Sequence, residues 1–306
     1  VKNLMLWFSD NKGLATGIAV AGFGLAKAIA SPLMEYLIGT VGLVNMFFIL
    51  AVIYAVMMFF GFLLIKRPAD WVYDPATSHV SRAEILRKPV FWGIWIAFYI
   101  NITCGLALIS QEKDILHDVL KAFPQYAGLS PAKFAAAIAG IIGLVLAVDS
   151  VFNTAGRVGF STLSDHLKRR ETVYQVIFIM SIAVCLLQIF TNSINNALLW
   201  AVLAMLFLIN AGYGGGFSTL PVLLDQHFGT KTVSTTHGLA LSAWAFAGLS
   251  GNQLASFVVT HTPDQAHRYA ALIPVLTGLF ALALISISLV KYLGGRNGEG
   301  KRSIGA

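Results

Sequence analysis

Residues 41–65 read VGLVNMFFILAVIYAVMMFFGFLLI and contain no charged side chain. About 20 consecutive apolar residues suffice for an α-helix to cross a bilayer, so this run predicts a membrane-spanning helix. The whole chain of 306 residues is 57% hydrophobic and only 11% charged, against about 25% charged in an ordinary soluble domain. We therefore predict an all-α integral membrane protein, which excludes a soluble globule, a disordered chain and, with two cysteines, a disulfide-stapled secreted module.

Apolar runs of similar length occur on both sides of this stretch. They predict eight spans, at residues 13–38, 41–65, 89–111, 133–160, 172–191, 197–221, 238–260 and 270–290. The polar segment 66–88 then reads as a cytoplasmic linker that separates a two-helix block, 1–65, from a six-helix bundle, 89–290. A charged, glycine-rich tail, 291–306, completes the chain.

Lysine and arginine residues lie mainly on one side of these spans. All but six fall in the loops and tails of that side. Four of the six lie on the opposite side, namely Lys113, Lys121, Lys133 and Arg268, and the other two, Lys27 and Arg157, lie inside spans. Because positive loops stay in the cytoplasm, both ends of the chain are predicted to be cytoplasmic. We expect a multi-pass protein of the inner or plasma membrane.

Three ionisable residues fall deep inside predicted spans, where each is costly unless it is paired or functional. Lys27 and Asp149 lie at similar depth, about 16–21 Å from the inner ends of their spans at 1.5 Å per residue. They are predicted to pair, either statically or as a coupling pair that breaks during transport or takes up a proton. Arg157 lies closer to the cytoplasm, either reaching water or acting as a fixed cation for an anionic substrate.

The segment NAGYGGGFSTLP, residues 210–221, combines Gly214, Gly215 and Gly216 with Pro221. Glycine has low helix propensity and proline removes a backbone hydrogen bond, so we expect an interrupted helix here. Close packing and a gating bend are both compatible with this pattern.

The sequence contains no P-loop, HExxH or GxSxG motif, and its histidines have no metal-ligand spacing. An enzyme, a bound cofactor, a metal site and a nucleic-acid partner are therefore not predicted.

The end of the fourth span has the form N-x-x-G-R-x6-S-D-x2-K-R-R, with Asn153, Gly156, Arg157, Asp165 and the cluster 168–170. This resembles the signature loop in the second half of the major facilitator superfamily. The resemblance implies that Asp165, Arg169 and Arg170 stabilise contacts between helix ends when the inner side is closed.

Other segments resemble the oxalate/formate antiporter family within that superfamily. They include Trp7-Phe8 with Gly13-Leu14-Ala15, Asn101-x2-Cys104-Gly105, Gly214-Gly215-Gly216-Phe217 and His237-Gly238 with Ala243-Trp244. The resemblance implies a major facilitator fold in which the eight spans are helices 5–12 of twelve. Four helices are then expected before Val1, and the isolated chain is not expected to transport.

The family resemblance implies secondary transport of small organic anions by alternating access, as antiport or proton symport. Arg157 is the first substrate-binding candidate, together with Trp244, Asn101 and Tyr213. The eleventh span of the family carries a lysine that this chain lacks, so a monocarboxylate fits better than a dianion. We expect the full-length protein to be a monomer in the lipid bilayer. A non-transporting membrane sensor on the same fold and a transporter of another small solute remain alternatives.

Overall fold

The computed structural model is all-helical, with 87% of the described residues in helix. It describes residues 1–302 apart from 70, 72–80, 192–195 and 264–268, and the side chains of 27, 28, 31, 196 and 295–302 lie outside that description. The α-helices are α1 Lys2–Trp7, α2 Lys12–Leu64, α3 Arg82–Leu86, α4 Pro89–Lys121, α5 Pro131–His166, α6 Glu171–Phe190, α7 Asn196–Phe228, α8 Val233–Ala240, α9 Ser242–His261 and α10 Leu272–Arg302. A short 3-10 helix, Pro124–Tyr126, joins α4 to α5.

Six helical stretches of the described chain are long and apolar enough to cross a membrane, where eight spans were predicted. They are Pro32–Leu64, Pro89–Lys121, Pro131–His166, Glu171–Phe190, Ala197–Phe228 and Leu272–Gly294. The stretch Lys12–Ala26 is apolar but shorter. The predicted span 238–260 begins inside α8 and continues through Leu241, which keeps helical angles, into the 20-residue α9.

Helix α2 contains the first two predicted spans, which meet at Gly42. Gly42 has φ 82° and ψ 166°, a backbone conformation that a residue without a Cβ adopts readily. Leu37, Met46 and Leu50 form a small buried cluster across this kink. The chain thus reverses at Gly42, and its second arm returns to the level of α1, where the Trp7 indole donates to the carbonyl of Lys66.

The main core lies among α4, α6, α7, α9 and α10. Helix α4 packs against α7, α9 and α10, and α6 packs against α7 and α10. Helix α5 packs on the other side of α7, and α2 contacts α5 and α7. The meeting of α2, α5 and α7 positions most of the polar residues discussed below.

The helix break expected at residues 210–221 is not found, because α7 is continuous through them. Its glycines lie at close contacts instead. A Cβ at Gly214 would collide with the carbonyl of Asn153, one at Gly215 with the Phe160 ring, and one at Gly216 with the Asn101 amide. Small residues let neighbouring helices approach closely in a membrane, which explains the glycine run without a bend.

Candidate functional site

A cavity of about 240 Å³ lies between α2, α4, α5, α7 and α9. It is lined by Phe23, Gly24, Ile109, Asp149, Ser150, Asn153, Arg157, Asn210, Tyr213, Phe217 and Trp244. Its walls are mainly aromatic and amide-bearing, with one guanidinium and one carboxylate. A cavity of this size and polarity fits a small ion or metabolite.

Arg157 is the cation of this cavity, and its side chain is only 5% exposed. Its Nε donates to Asn153 Oδ1 at 2.9 Å, and its Nη1 lies 3.5 Å from the Val20 carbonyl on α2. Among the described residues, Nη2 makes no hydrogen bond. The guanidinium carbon lies 5.3 Å from the Phe217 ring centre and 5.9 Å from that of Phe23, so aromatic faces hold the cation in place.

A chain of amide hydrogen bonds leads away from Arg157. Asn153 Nδ2 donates to Asn210 Oδ1 at 2.8 Å, and Asn210 Nδ2 donates to the Asp149 carboxylate. All four side chains are buried, with exposed fractions of 7% or less. The cation and the carboxylate are therefore joined by two ordered side-chain amides.

Glycine allows α5 and α7 to come close enough for this chain to form. A Cβ at Gly156 would collide with the backbone of Ala211, and Gly214 leaves room for Asn153. Gly156 thus sets the distance between the two helices at the level of Arg157. This gives it a packing role within the predicted signature motif.

The cavity brings together three of the four predicted substrate residues, Arg157, Tyr213 and Trp244. Asn101 lies elsewhere: its Nδ2 is 3.4 Å from the carbonyl oxygens of Gly212 and Tyr213, so it ties α4 to the backbone of α7. Its buried amide contributes to packing rather than to the cavity lining.

The predicted Lys27–Asp149 pair stays a prediction, because the Lys27 side chain lies outside the described residues. Its backbone belongs to α2, one turn beyond Gly24, which lines the cavity and contacts Thr154.

Two further polar residues were missed by sequence reasoning. Asn210 carries no charge, so hydropathy gives no signal for it. Glu112 lies just beyond the predicted span 89–111, but α4 continues to Lys121 and leaves Glu112 only 2% exposed. Glu112, Asp149 and Asn210 line a small cavity of about 10 Å³. The apolar residues Ile115, Leu116 and Leu120 continue the buried face of α4, and their helical spacing is the sequence signal that the helix extends beyond residue 111.

A second polar cluster joins the same helices at the end that carries the basic loop. Asp165 accepts the backbone N–H groups of Gly13 and Leu14, each at 2.8 Å. Carboxylates are favoured at helix N-termini, where backbone N–H groups lack partners within the helix. Asp165 thereby fastens the start of α2 to the end of α5.

Further charges reinforce this contact. Lys12 Nζ lies 2.9 Å from Asp225 Oδ2, and Arg170 lies 3.6 Å from Asp225 and 3.8 Å from Asp165. The Lys12–Asp225 pair connects α2 with α7, and the Arg170 pairs connect the loop before α6 with α7 and with the end of α5. We call Lys12, Asp165, Arg170 and Asp225 the end cluster.

Arg169, also part of the predicted motif, points to a different partner. It lies 3.0 Å from the buried carboxylate of Glu171 and donates to the Lys291 carbonyl on α10. His227 Nε2 lies 3.0 Å from the same carboxylate. Arg169 therefore fixes the loop against the start of α6 and against α10, whereas Arg170 reaches Asp165 on α5 and Asp225 on α7.

The described fold and its buried polar cavity define a multi-pass membrane protein. The model of the Major Facilitator Superfamily matches residues 2–252, so the chain belongs to this family. The family is one of membrane transporters, in agreement with the prediction that the chain is not an enzyme.

Two curated proteins are similar to this chain. The oxalate:formate antiporter of Oxalobacter formigenes is 25% identical over 282 residues, which cover 91% of this chain and 62% of the relative. An uncharacterised MFS-type transporter of Escherichia coli K12, YhjX, is 26% identical over 245 residues, covering 78% of this chain and 56% of the relative. The chain thus spans about three-fifths of the length of these relatives.

Proposed function

We propose that this chain forms the substrate-binding part of a secondary transporter of small organic anions of the monocarboxylate type. Substrate would bind at Arg157 and be exchanged across the membrane by antiport or carried with a proton. The name of the Oxalobacter relative, an oxalate:formate antiporter, supports anion exchange as the class of activity.

The observation that carries this proposal is the state of Arg157. A buried guanidinium is expensive in a membrane unless it is paired or functional. Here Nε is used by Asn153, while Nη2 makes no hydrogen bond within the described chain and the residue lines a cavity. A substrate carboxylate meeting the guanidinium edge would supply the missing acceptor, and charge-assisted bonds of this type are strong.

The charge balance of the cavity favours a monoanion. Arg157 is the one basic residue among the described lining residues, and Asp149 lines the same cavity. A second carboxylate on the substrate would approach Asp149, and like charges at short range repel. Lys27 and Asp149 are proposed as the coupling pair, with Asp149 as the proton acceptor if transport is proton-coupled.

The end cluster is proposed as the inner gate of an alternating-access cycle. It joins α2, which we assign with residues 1–65 to the amino-terminal bundle, to α5 and α7 of the bundle at 89–290. Residues 66–88 would be the linker between the bundles and 291–306 the tail. The cluster lies beside the basic loop 168–170, so we place it, and both ends of the chain, in the cytoplasm of an inner or plasma membrane.

The proposal is tested by uptake of radiolabelled formate, lactate and oxalate into liposomes that contain the full-length protein. We expect saturable uptake of a monocarboxylate and weaker uptake of oxalate. Arg157→Ala should lower uptake at least about 100-fold, since removing one partner of a buried charged bond costs about 3–5 kcal/mol. Arg157→Lys keeps the charge but not the two-pronged geometry, so partial activity is expected.

Normal transport by Arg157→Ala would remove Arg157 from the site. Ligand binding by the wild-type protein without any uptake or exchange would favour the sensor alternative.

A further inference from the structure

We propose that Asn153 and Asn210 are positioning residues that hold Arg157 in its substrate-binding orientation and anchor it to Asp149. This inference rests on the proposed function, because it describes how the same site is set up. It concerns the amide chain, which we define as Arg157, Asn153, Asn210 and Asp149.

The amide chain has a single consistent polarity. Arg157 Nε can only donate, so Asn153 must turn Oδ1 toward it, at 2.9 Å. Nδ2 of Asn153 then points to α7, where it donates to Asn210 Oδ1 at 2.8 Å and to the Asn210 carbonyl at 3.2 Å. Asn210 in turn donates through Nδ2 to Asp149. Turning either amide over would bring donor against donor or oxygen against carboxylate.

This polarity leaves the outer edge of the guanidinium for substrate. With Nε occupied by Asn153, the side chain is fixed near its root, and the Phe23 and Phe217 rings limit its swing. A carboxylate can then meet Nη1 and Nη2 together, without first reorganising the cation. Binding groups whose orientation is already fixed lose less entropy when ligand binds.

The amide chain crosses from α5 to α7 and back, so it also fixes the relative position of the two helices. Asn153 and Asn210 are 57 residues apart in sequence and meet only because Gly156 and Gly214 let the helices touch. At the Asp149 end, Glu112 of α4 lines the same small cavity. Lys27 of α2 belongs to the same region by its backbone, and Arg157 is the basic residue of α5 that lines the larger cavity together with Asp149.

The test compares Asn210→Leu, which is close in size but apolar, with Asn210→Ser, whose hydroxyl both accepts and donates. Ser181→Ala is the matched control, because Ser181 is a buried hydroxyl that bonds to Ile177 of its own helix. Each full-length variant is reconstituted and assayed for the half-saturation concentration and maximal rate of radiolabelled formate uptake. Reaction of Arg157 with phenylglyoxal, followed by peptide mass spectrometry, reports the guanidinium directly.

We expect Asn210→Leu to raise the half-saturation concentration about tenfold, because Asn153 Nδ2 loses its side-chain acceptor, Asp149 loses its donor, and Arg157 is then held less firmly. The maximal rate should change less than about twofold, and Arg157 should react several-fold faster with phenylglyoxal. Asn210→Ser should restore most of both values. The double variant Asn153→Leu/Asn210→Leu should be little worse than either single one, because residues in one network are not additive.

The positioning role would be overturned if Asn210→Leu left the half-saturation concentration unchanged and lowered the maximal rate only in proportion to the amount of folded protein. If the wild-type protein takes up no carboxylate, the proposed function fails, and the phenylglyoxal rate alone decides this inference. An Arg157 reaction rate that is equal in wild type and Asn210→Leu then refutes it.

Discussion

The amide chain and the end cluster join overlapping sets of helices in different ways. In the amide chain, neutral amides separate Arg157 from Asp149, and every member is buried. In the end cluster, charged groups meet directly or bind backbone N–H groups, and Lys12 and Arg170 retain 18% exposed side chains. Near water, a direct ion pair can open and close at low cost. Deep in the membrane, the amide chain instead holds the Arg157 guanidinium in one orientation. This difference is the one expected if the end cluster is the proposed gate and the amide chain sets up the proposed binding site.

The largest expected effect comes from a variant that pushes α5 away from α7 at the level of the amide chain. In Gly156→Ala, the new methyl group would collide with the Ala211 backbone. Overpacking costs about 1–3 kcal/mol, so we expect a lower thermal unfolding midpoint together with weaker substrate binding. The measurements are thermal unfolding in detergent and the half-saturation concentration of formate uptake.

Gly159→Ala is the matched control on the same helix. Gly159 has open space at the Cβ position within the described structure, so alanine should leave transport unchanged and stability equal or slightly higher. Equal behaviour of the two variants would contradict the assigned role of Gly156.

Gly156 also shows what the sequence can predict. Its place in a signature motif was visible, because the motif depends on spacing along one helix. The charged members of the site, Asp149 and Arg157, were also predictable, since charges in apolar runs are costly and therefore conspicuous. The all-helical fold followed from the apolar runs themselves.

Asn210 and Glu112 show why the remainder could not be predicted. The importance of Asn210 depends on its contact with Asn153, which is set by helix register and not by any local pattern. Glu112 was missed because a span predicted from hydropathy ends at the first charged residues. Helix α4 instead continues for nine residues beyond Glu112 and keeps a buried face there. The break expected in α7 was wrong because a helix in contact with its neighbours tolerates glycine and one proline.

The second variant acts on the end cluster instead. Asp165→Ala removes the acceptor for the Gly13 and Leu14 N–H groups, so the start of α2 should detach from α5 more often. Loss of a helix cap typically costs about 1 kcal/mol, and we expect roughly five- to tenfold faster modification of a Ser161→Cys reporter. Ser161 is fully buried at this contact, and an impermeant maleimide applied from the proposed cytoplasmic side measures its access.

Asp10→Ala is the control for this variant, because Asp10 lies near the same end and its carboxylate contacts only the neighbouring Ser9 among the described residues. Reporter access should not change in it. If Asp165→Ala altered formate affinity as strongly as Gly156→Ala, the assignment of separate gating and binding levels would be wrong.

The smallest expected effect comes from the Lys12–Asp225 pair, which directly joins α2 to α7 at 2.9 Å. Asp225 also accepts from Thr230 and faces Arg170, so losing Lys12 leaves it with other partners. Lys12→Ala should therefore raise Ser161→Cys access only two- to threefold, within the range of about 0–1 kcal/mol for partly exposed pairs.

The reversed pair Lys12→Asp/Asp225→Lys would test pairing itself, but Arg170 would then face a lysine, so incomplete recovery is expected. Lys88→Ala supplies the baseline, since Lys88 pairs with Glu84 at 3.9 Å on an exposed surface. A Lys12→Ala effect equal to that of Lys88→Ala would show that Asp165 and Arg170 hold the gate without Lys12, and would narrow the end cluster to those residues and Asp225.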